Sequence, residues 1–182
     1  FVELHSIDIH KSKLNEIGKI DGYNLRQING WIKRYNNSIV DECANLKKTA
    51  KWLLNNIPKE SSASLIHNDY KYDNIVLNSK NISEIISVLD WEMSTIGDPL
   101  MDLGTSLGYW INHNDPDFMK KLNLNPSSVE GNPTRDQFVN QYALKSKINI
   151  NNLIFYYVYG LFKIAVIIQQ IYFRYNKGLT KD

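Results

Sequence analysis

Between residues 67 and 104 the chain carries a series of polar side chains whose order suits phosphoryl transfer. His67-Asn68-Asp69-Tyr70-Lys71-Tyr72-Asp73-Asn74 is followed by Val88-Leu89-Asp90-Trp91-Glu92, and then by Gly97-Asp98-Pro99-Leu100-Met101-Asp102-Leu103-Gly104. Asp69 can accept the proton of a hydroxyl while orienting its oxygen for in-line attack. Asn74 offers a neutral amide oxygen and Asp90 a carboxylate, both suited to a hard cation such as Mg²⁺ on nucleotide phosphates. A hairpin between Asn74 and Asp90 lets residues sixteen positions apart meet at one metal.

Taken singly, these signals are weak. Asp-x4-Asn occurs in many loops, Asp73 is then as good a base as Asp69, and Asp90 alone can cap a turn. The combined order, with His67 before it and Gly97-Asp98-Pro99-x2-Asp102-Leu103 after it, argues against chance. His67 is read as a packing residue that hydrogen-bonds to hold the backbone of the loop. Asp98 and Asp102 could ligate a metal, but helix capping accounts for Asp98, and Asp102 lies one turn on, within reach of the loop backbone. Support of the site is the role assigned to both. Lys71 is either a cation that offsets charge on the moving phosphoryl group or a solvated surface lysine.

These groups need elements to hold them. Leu25, Ile28, Trp31, Ile32, Tyr35 and Ile39 fall at three- and four-residue steps, which predicts a helix over 24–40 with Asn24 as N-cap. Leu46, Ala50, Leu53, Leu54 and Ile57 repeat the pattern until Pro58 stops it, so the first sixty residues read as helical. Residues 59–62 read as a loop. Runs rich in β-branched residues at 64–67, 75–77 and 85–89 predict strands, with residues 78–81 as the turn between the last two. Asp98-Pro99 is a helix start, with Asp98 as cap and Pro99 at the first helical position, and that helix should run towards Trp110. Residues 112–133 hold three of the five prolines and read as a long surface loop; helices are expected at 134–146 and 151–175. Core packing is the default for Trp31, Trp52, Trp91 and Trp110.

Composition narrows the class. The 182 residues suffice for one domain with a substantial core, and 43% hydrophobic with 22% charged residues is ordinary for a soluble globular protein. The net charge of +2 comes from 21 basic and 19 acidic residues spread along the chain, with no basic stripe, so nucleic-acid binding has little support. The single cysteine, Cys43, cannot close an internal disulfide, which fits a reducing cytoplasmic setting. The start, Phe1-Val2-Glu3-Leu4-His5, has no signal-peptide pattern and looks like the middle of a longer protein. Residues 153–173 are long and apolar, but Lys163 sits at their centre. A charge at mid-bilayer costs about 2.5–3.5 kcal/mol, so a buried amphipathic helix is expected there and no membrane partner.

With these residues in place, the chain resembles the aminoglycoside phosphotransferase and choline kinase group of the kinase-like superfamily. His67-Asn68-Asp69-x4-Asn74 is similar to its His-Gly-Asp-x4-Asn catalytic loop, with Asn68 at the usual glycine. Leu89-Asp90-Trp91-Glu92 with Gly97-Asp98-Pro99-x2-Asp102-Leu103 is similar to its second motif. A closer likeness is to the phosphotransferase domains associated with acyl-CoA dehydrogenases. It rests on Gly22-Tyr23 with Arg26-Gln27 and Trp31, on residues 88–95, and on Leu161-Phe162-Lys163-Ile164-Ala165 with Ile168-Gln169.

The resemblance implies an α+β, mainly helical fold: the C-terminal lobe of a protein-kinase-like structure, spanning 1–182 as one domain, with a small β-hairpin region carrying the catalytic loop. It implies ATP and Mg²⁺ as cofactors and a small-molecule hydroxyl as substrate, with Asp69 as base and Asn74 and Asp90 as metal ligands. The family's nucleotide-clamping strands and phosphate-binding lysine are expected upstream of Phe1, so the chain by itself is not expected to turn over. The rival reading is a non-catalytic pseudokinase or a binding-module remnant, against which the joint presence of Asp69, Asn74 and Asp90 argues.

Overall fold

The first helical turn, α1 (Val2–His5), is followed by irregular chain with a 3₁₀ turn at Leu14–Glu16, where the first sixty residues read as helical. The structure, a computed structural model, describes residues 1–59, 62–122 and 125–181. Two amphipathic helices come next, α2 (Tyr23–Asn37) and α3 (Ala44–Asn55). Gly22, not Asn24, is the N-cap of α2, because the chain enters the helix through a left-handed residue (φ 68°) that glycine adopts without strain. Asn24 lies inside the first turn, fully buried, and turns its amide to Asp98. Of the loop expected at 59–62, residues 60 and 61 lie outside the described residues.

The strands are short and paired in two antiparallel ribbons. β1 (Ser64–Ile66) pairs with β4 (Thr95–Gly97) in the register Ser64↔Gly97 and Ile66↔Thr95. Within that frame the hairpin of β2 (Ile75–Asn78) and β3 (Asn81–Val88) pairs Ile75 with Val88 and Asn78 with Asn81. The chain thus leaves β1 through the loop at 67–74 and returns through the hairpin to β4, next to where it left.

Asp98 then starts α4 (Pro99–Tyr109), its Oδ1 accepting the Leu100 N–H at 2.9 Å, and every residue of that helix is buried. The segment expected to be one long loop contains a short helix, α5 (Asp117–Lys121), and a 3₁₀ turn at Pro126–Ser128; residues 123 and 124 lie outside the described residues. Thr134 opens α6 (Arg135–Ser146) with a reciprocal capping box to Gln137. α7 (Leu153–Asn176) completes the fold, packing against α4, α2 and α3. By length and composition alone α7 could cross a membrane, but its Phe155–Tyr156, Tyr159–Gly160 and Phe162–Ile164 positions are buried in the core.

α4 and α7 cross with their backbones in close approach at Gly104 and Gly160. A Cβ at Gly104 would run into the Tyr156 backbone, and one at Gly160 into the backbone of Gly104. Neither backbone can yield without separating the helices. Gly160→Ala is expected to destabilise by about 1–3 kcal/mol or more, read as a melting temperature lowered by roughly 2–4 °C per kcal/mol. Gly30→Ala is the control. Its Cβ would meet only the end of the flexible Arg34 side chain, so a neutral or slightly stabilised protein is expected.

Two tryptophans follow the core expectation and two do not. Trp31 and Trp110 are buried, whereas Trp52 and Trp91 are about 40% exposed. Trp91 opens a 3₁₀ turn, where its ring meets that of His67 in a T-shaped contact (centroids 4.8 Å apart) and the indole N–H donates to Val88 O.

Candidate active site

The loop after β1 is built around one left-handed residue. Asn68 has φ 67°, a conformation that Asn tolerates better than most side chains. Its amide N–H donates to Asp102 Oδ1 (2.8 Å), and its side chain bridges the Tyr23 hydroxyl (3.1 Å) and Met93 O (2.9 Å). Asp102, fully buried on the first turn of α4, also accepts the His67 N–H at 2.7 Å on Oδ2. One carboxylate thus holds two consecutive backbone amides of the loop.

His67 is buried and uses both ring nitrogens. Nε2–H donates to Leu89 O (2.8 Å), and Nδ1 accepts the Asp69 N–H (3.2 Å). Those partners call for the neutral tautomer protonated on Nε2. The ring therefore ties the loop to the residue preceding Asp90.

Asp69 is half-buried. Its Oδ2 accepts from Asn74 Nδ2 at 2.9 Å and faces Lys71 Nζ at 3.1 Å. The second Asn74 amide proton goes to the Asp69 carbonyl at 2.8 Å, so Nδ2 is committed to Asp69 and Oδ1 is the atom left for a cation. Asp73, the alternative base, is exposed, and the Asn74 amide does not go to it. Lys71 is not a free surface lysine, since besides the Asp69 pair its Nζ lies 4.8 Å over the Tyr109 ring. Burial and the negative charge of Asp69 push the Tyr109 phenol well above its ordinary pKa.

The hairpin brings Asp90 back to this loop. Leu89 N–H donates to Asn74 O at 2.7 Å, which extends the Ile75↔Val88 pairing by one more bond. Asp90 follows directly, exposed and left-handed (φ 65°), at the head of the 3₁₀ turn Trp91–Met93. Asn74 is thus tied through its carbonyl to the residue before Asp90, and through its side-chain amide to both the carbonyl and the carboxylate of Asp69. Among the described residues, no three His, Cys, Asp or Glu side chains gather as a ready-made metal cluster.

Asp98 is fully buried. Besides capping α4 it accepts from Asn24 Nδ2 (2.9 Å) and from the Tyr156 hydroxyl (3.0 Å), joining α2, α4 and α7 beneath the loop. His5 does the same for α1 and α6: its Nε2–H faces Asp102 Oδ2 at 3.2 Å, and the Tyr142 hydroxyl donates to Nδ1 at 2.8 Å. His5, Asn24, Tyr109, Tyr142 and Tyr156 lie outside the motifs, and their partners are tens of residues away. Spacing along the chain gives no signal for them.

Lys163, on the buried face of α7, also reaches the loop. Its Nζ donates to Asn68 O at 2.5 Å and lies 5.5 Å from the Trp31 ring centroid. Burial pulls its pKa down to about 8, against the opposing pull of Asp102 and Asp69 and with the help of Lys71 and Arg34. The unfolded chain therefore holds more protons than the folded one between about pH 8 and the ordinary lysine value of 10.5. Through this group stability rises with pH across that window, by a total on the order of 3 kcal/mol. The check is urea unfolding at several pH values: wild type minus Lys163→Met is expected to rise from pH 8 to 10, and a flat difference contradicts it.

Beside Lys71 lies a cavity of about 310 Å³, lined by Tyr70, Tyr72, Trp110, Pro133 and Phe138 among others. The Tyr72 hydroxyl donates to Asn132 Oδ1 (2.8 Å) and Trp110 Nε1 to Pro133 O (2.8 Å), so the segment before α6 forms one wall. That wall is fixed by Arg135, whose guanidinium makes a bidentate pair with Asp115 (2.5 and 2.6 Å) and holds that carboxyl below the usual range. A larger cavity, about 380 Å³, lies under residues 127–134 and touches neither Asp69 nor Lys71.

This geometry has relatives. The profile of the phosphotransferase enzyme family matches residues 1–128. Acyl-CoA dehydrogenase family member 11 of Rattus norvegicus is 35% identical over 179 residues, covering 96% of this chain and 23% of that protein. Acyl-CoA dehydrogenase family member 10 of Mus musculus is 30% identical over 177 residues, covering 96% of this chain and 16% of that protein. The chain thus spans less than a quarter of the length of these curated relatives. A crystal structure from Ralstonia eutropha, of a protein provisionally named an aminoglycoside phosphotransferase, superposes with a TM-score of 0.86 at 27% identity. It covers all of this chain and 55% of its own. The α+β, mainly helical architecture is kinase-like.

Proposed function

The chain belongs to the phosphotransferase enzyme family, and on that premise we propose that it is the catalytic lobe of a longer ATP-dependent kinase acting on a small-molecule hydroxyl. The observation that carries the reading is the double use of Asn74, whose amide binds the Asp69 carboxylate at 2.9 Å while its carbonyl holds the residue before Asp90 at 2.7 Å. A base and two oxygen donors for a cation are thereby held by one residue and its hairpin.

Asp69 accepts the proton of the acceptor alcohol as the alcohol oxygen bonds to the γ-phosphorus of ATP and the bond from that phosphorus to the β–γ bridging oxygen breaks, so that ADP leaves with the bridging oxygen and the proton remains on the carboxylate. Lys71, paired with Asp69 at 3.1 Å, supplies positive charge next to the transferred group. His67, Asp98 and Asp102 hold the loop and do not exchange protons with substrate. The donor set fits Mg²⁺: the Asn74 amide oxygen and the Asp90 carboxylate are hard ligands, and phosphates and water complete such a shell. Bound there with ATP, the metal would neutralise charge developing on the phosphates.

A nucleotide lobe supplied by sequence outside this chain is part of the proposal. The short coverage of the relatives supports it, as do the exposed Ile82, Ile85 and Ile86 on the hairpin and Leu89, Trp91 and Met93 beside the site, which a second lobe would cover. For the acceptor, the aromatic cavity beside Lys71 and the relatives' names favour a hydroxyacyl or similarly apolar metabolite. A polycationic aminoglycoside is disfavoured, because Glu130, Asp136 and Asp182 are the only acidic residues after position 121. The test is ATP consumption by the full-length protein across hydroxylated metabolites. An apolar hydroxylated compound is expected to stimulate ADP release, and stimulation by none, with MgATP bound, would overturn the reading.

A further inference from the structure

A lysine buried to 1% exposure, with one carbonyl as its hydrogen-bond partner, needs a reason to be there. Removing an ammonium from water is costly, and most buried cations sit against a carboxylate that compensates them. No carboxylate lies within ion-pair distance of Lys163 among the described residues, and its partner is the carbonyl of Asn68. That carbonyl belongs to the peptide unit joining Asn68 to Asp69. The same unit's N–H, on Asp69, donates to His67 Nδ1. The plane is thus gripped at both ends, at oxygen by α7 and at nitrogen by His67, the residue after β1, at the point where the chain leaves its left-handed residue. The side chain of Asp69 projects from this plane.

We propose that Lys163 is a positioning residue for phosphoryl transfer: by clamping the Asn68–Asp69 peptide plane, it fixes the direction in which the Asp69 carboxylate meets the acceptor hydroxyl. The proposal rests on the reading of Asp69 as the base. Lys163 touches neither substrate nor metal, and it acts through the backbone. The alternative, that Lys163 only fills the core, leaves its choice over methionine unexplained, since methionine has the same length without the cost of desolvation. The remaining polar groups of Asn68 go to α2, α4 and the segment before β4, so α7 enters the loop through this one contact.

The experiment compares Lys163→Met, Asp69→Asn and the double variant in the full-length protein, following ADP release from MgATP with water as the acceptor. Lys163→Met is expected to lower kcat by about a hundredfold, the scale of an ångström-sized misplacement of a reacting group, with KM for MgATP close to wild type and the melting temperature not lowered. The double variant should be no slower than Asp69→Asn alone, because a residue acting through Asp69 has nothing left to position. Lys163→Arg, which keeps a cationic donor, should recover part of the loss. If Asp69→Asn is as fast as wild type, the base reading falls and takes this proposal with it. If Asp69→Asn is slow but Lys163→Met stays within about twofold of wild type, the base stands and the positioning role is overturned. Should Lys163→Met not fold, ¹⁵N-detected NMR of the wild-type lysines decides: one slowly exchanging ammonium is expected, and fast exchange of every lysine overturns the clamp.

Discussion

Asp69→Asn is expected to reduce phosphoryl transfer by about 10²–10⁴-fold, the range that a positioned general base contributes, while leaving the protein folded. The substitution is nearly isosteric, and an amide oxygen can still accept from Asn74 Nδ2 and Lys71 Nζ, so the loop keeps its hydrogen bonds. What is lost is a group able to take the acceptor's proton. Single-turnover rates with saturating MgATP check this without interference from product release. A variant within a few-fold of wild type would remove Asp69 from the reaction and would make the exposed Asp73 worth testing in its place.

Asp102→Ala should have the largest effect on stability. The carboxylate is fully buried and accepts the His67 and Asn68 amides at 2.7 and 2.8 Å together with His5 Nε2 at 3.2 Å. Truncation leaves two buried backbone donors without acceptors, each costing about 1–3 kcal/mol, and strips the histidine of its partner. A total of roughly 3–5 kcal/mol is expected, a fall in melting temperature on the order of 10 °C. Asp102→Asn retains one acceptor oxygen and should lie between. Calorimetry separates the outcomes, and an alanine variant melting within about 2 °C of wild type would show that the loop does not depend on this anchor.

What the chain disclosed before folding is mostly local. Asp98 with Pro99 marks the start of α4 because a cap and its N–H partner are two residues apart. The β2–β3 hairpin shows in its β-branched runs, and the loop after β1 shows because Asp69 and Asn74 sit five positions apart and do bond to each other. β4 is not legible because Thr95-Ile96-Gly97 ends in glycine and runs straight into the Asp98–Pro99 helix start, which leaves no apolar run such as the one that marks β1. Asn24 reads as a cap because local propensity cannot reveal a partner 74 residues away, at the N-cap of α4. Tyr109, His5 and Lys163 are hidden for the same reason. Lys163 carried one indirect signal, a charge at the centre of an otherwise apolar helix. Periodicity explains why that helix is buried but not why the lysine is there. The contact with Asn68 O, 95 residues away, supplies the reason.

The central claim, that the Asn74 and Asp90 side chains share one nucleotide-bound cation beside Asp69, is tested most directly by crystals of the full-length protein grown with Mn²⁺ and a non-hydrolysable ATP analogue. The account predicts an anomalous peak bonded to both the Asn74 amide oxygen and an Asp90 carboxylate oxygen at about 2.1–2.2 Å, near the distance at which Mg²⁺ binds oxygen, with Asp69 facing the terminal phosphate. A nucleotide-bound peak that neither side chain touches, or an Asp90 turned to solvent with the metal in place, would contradict it.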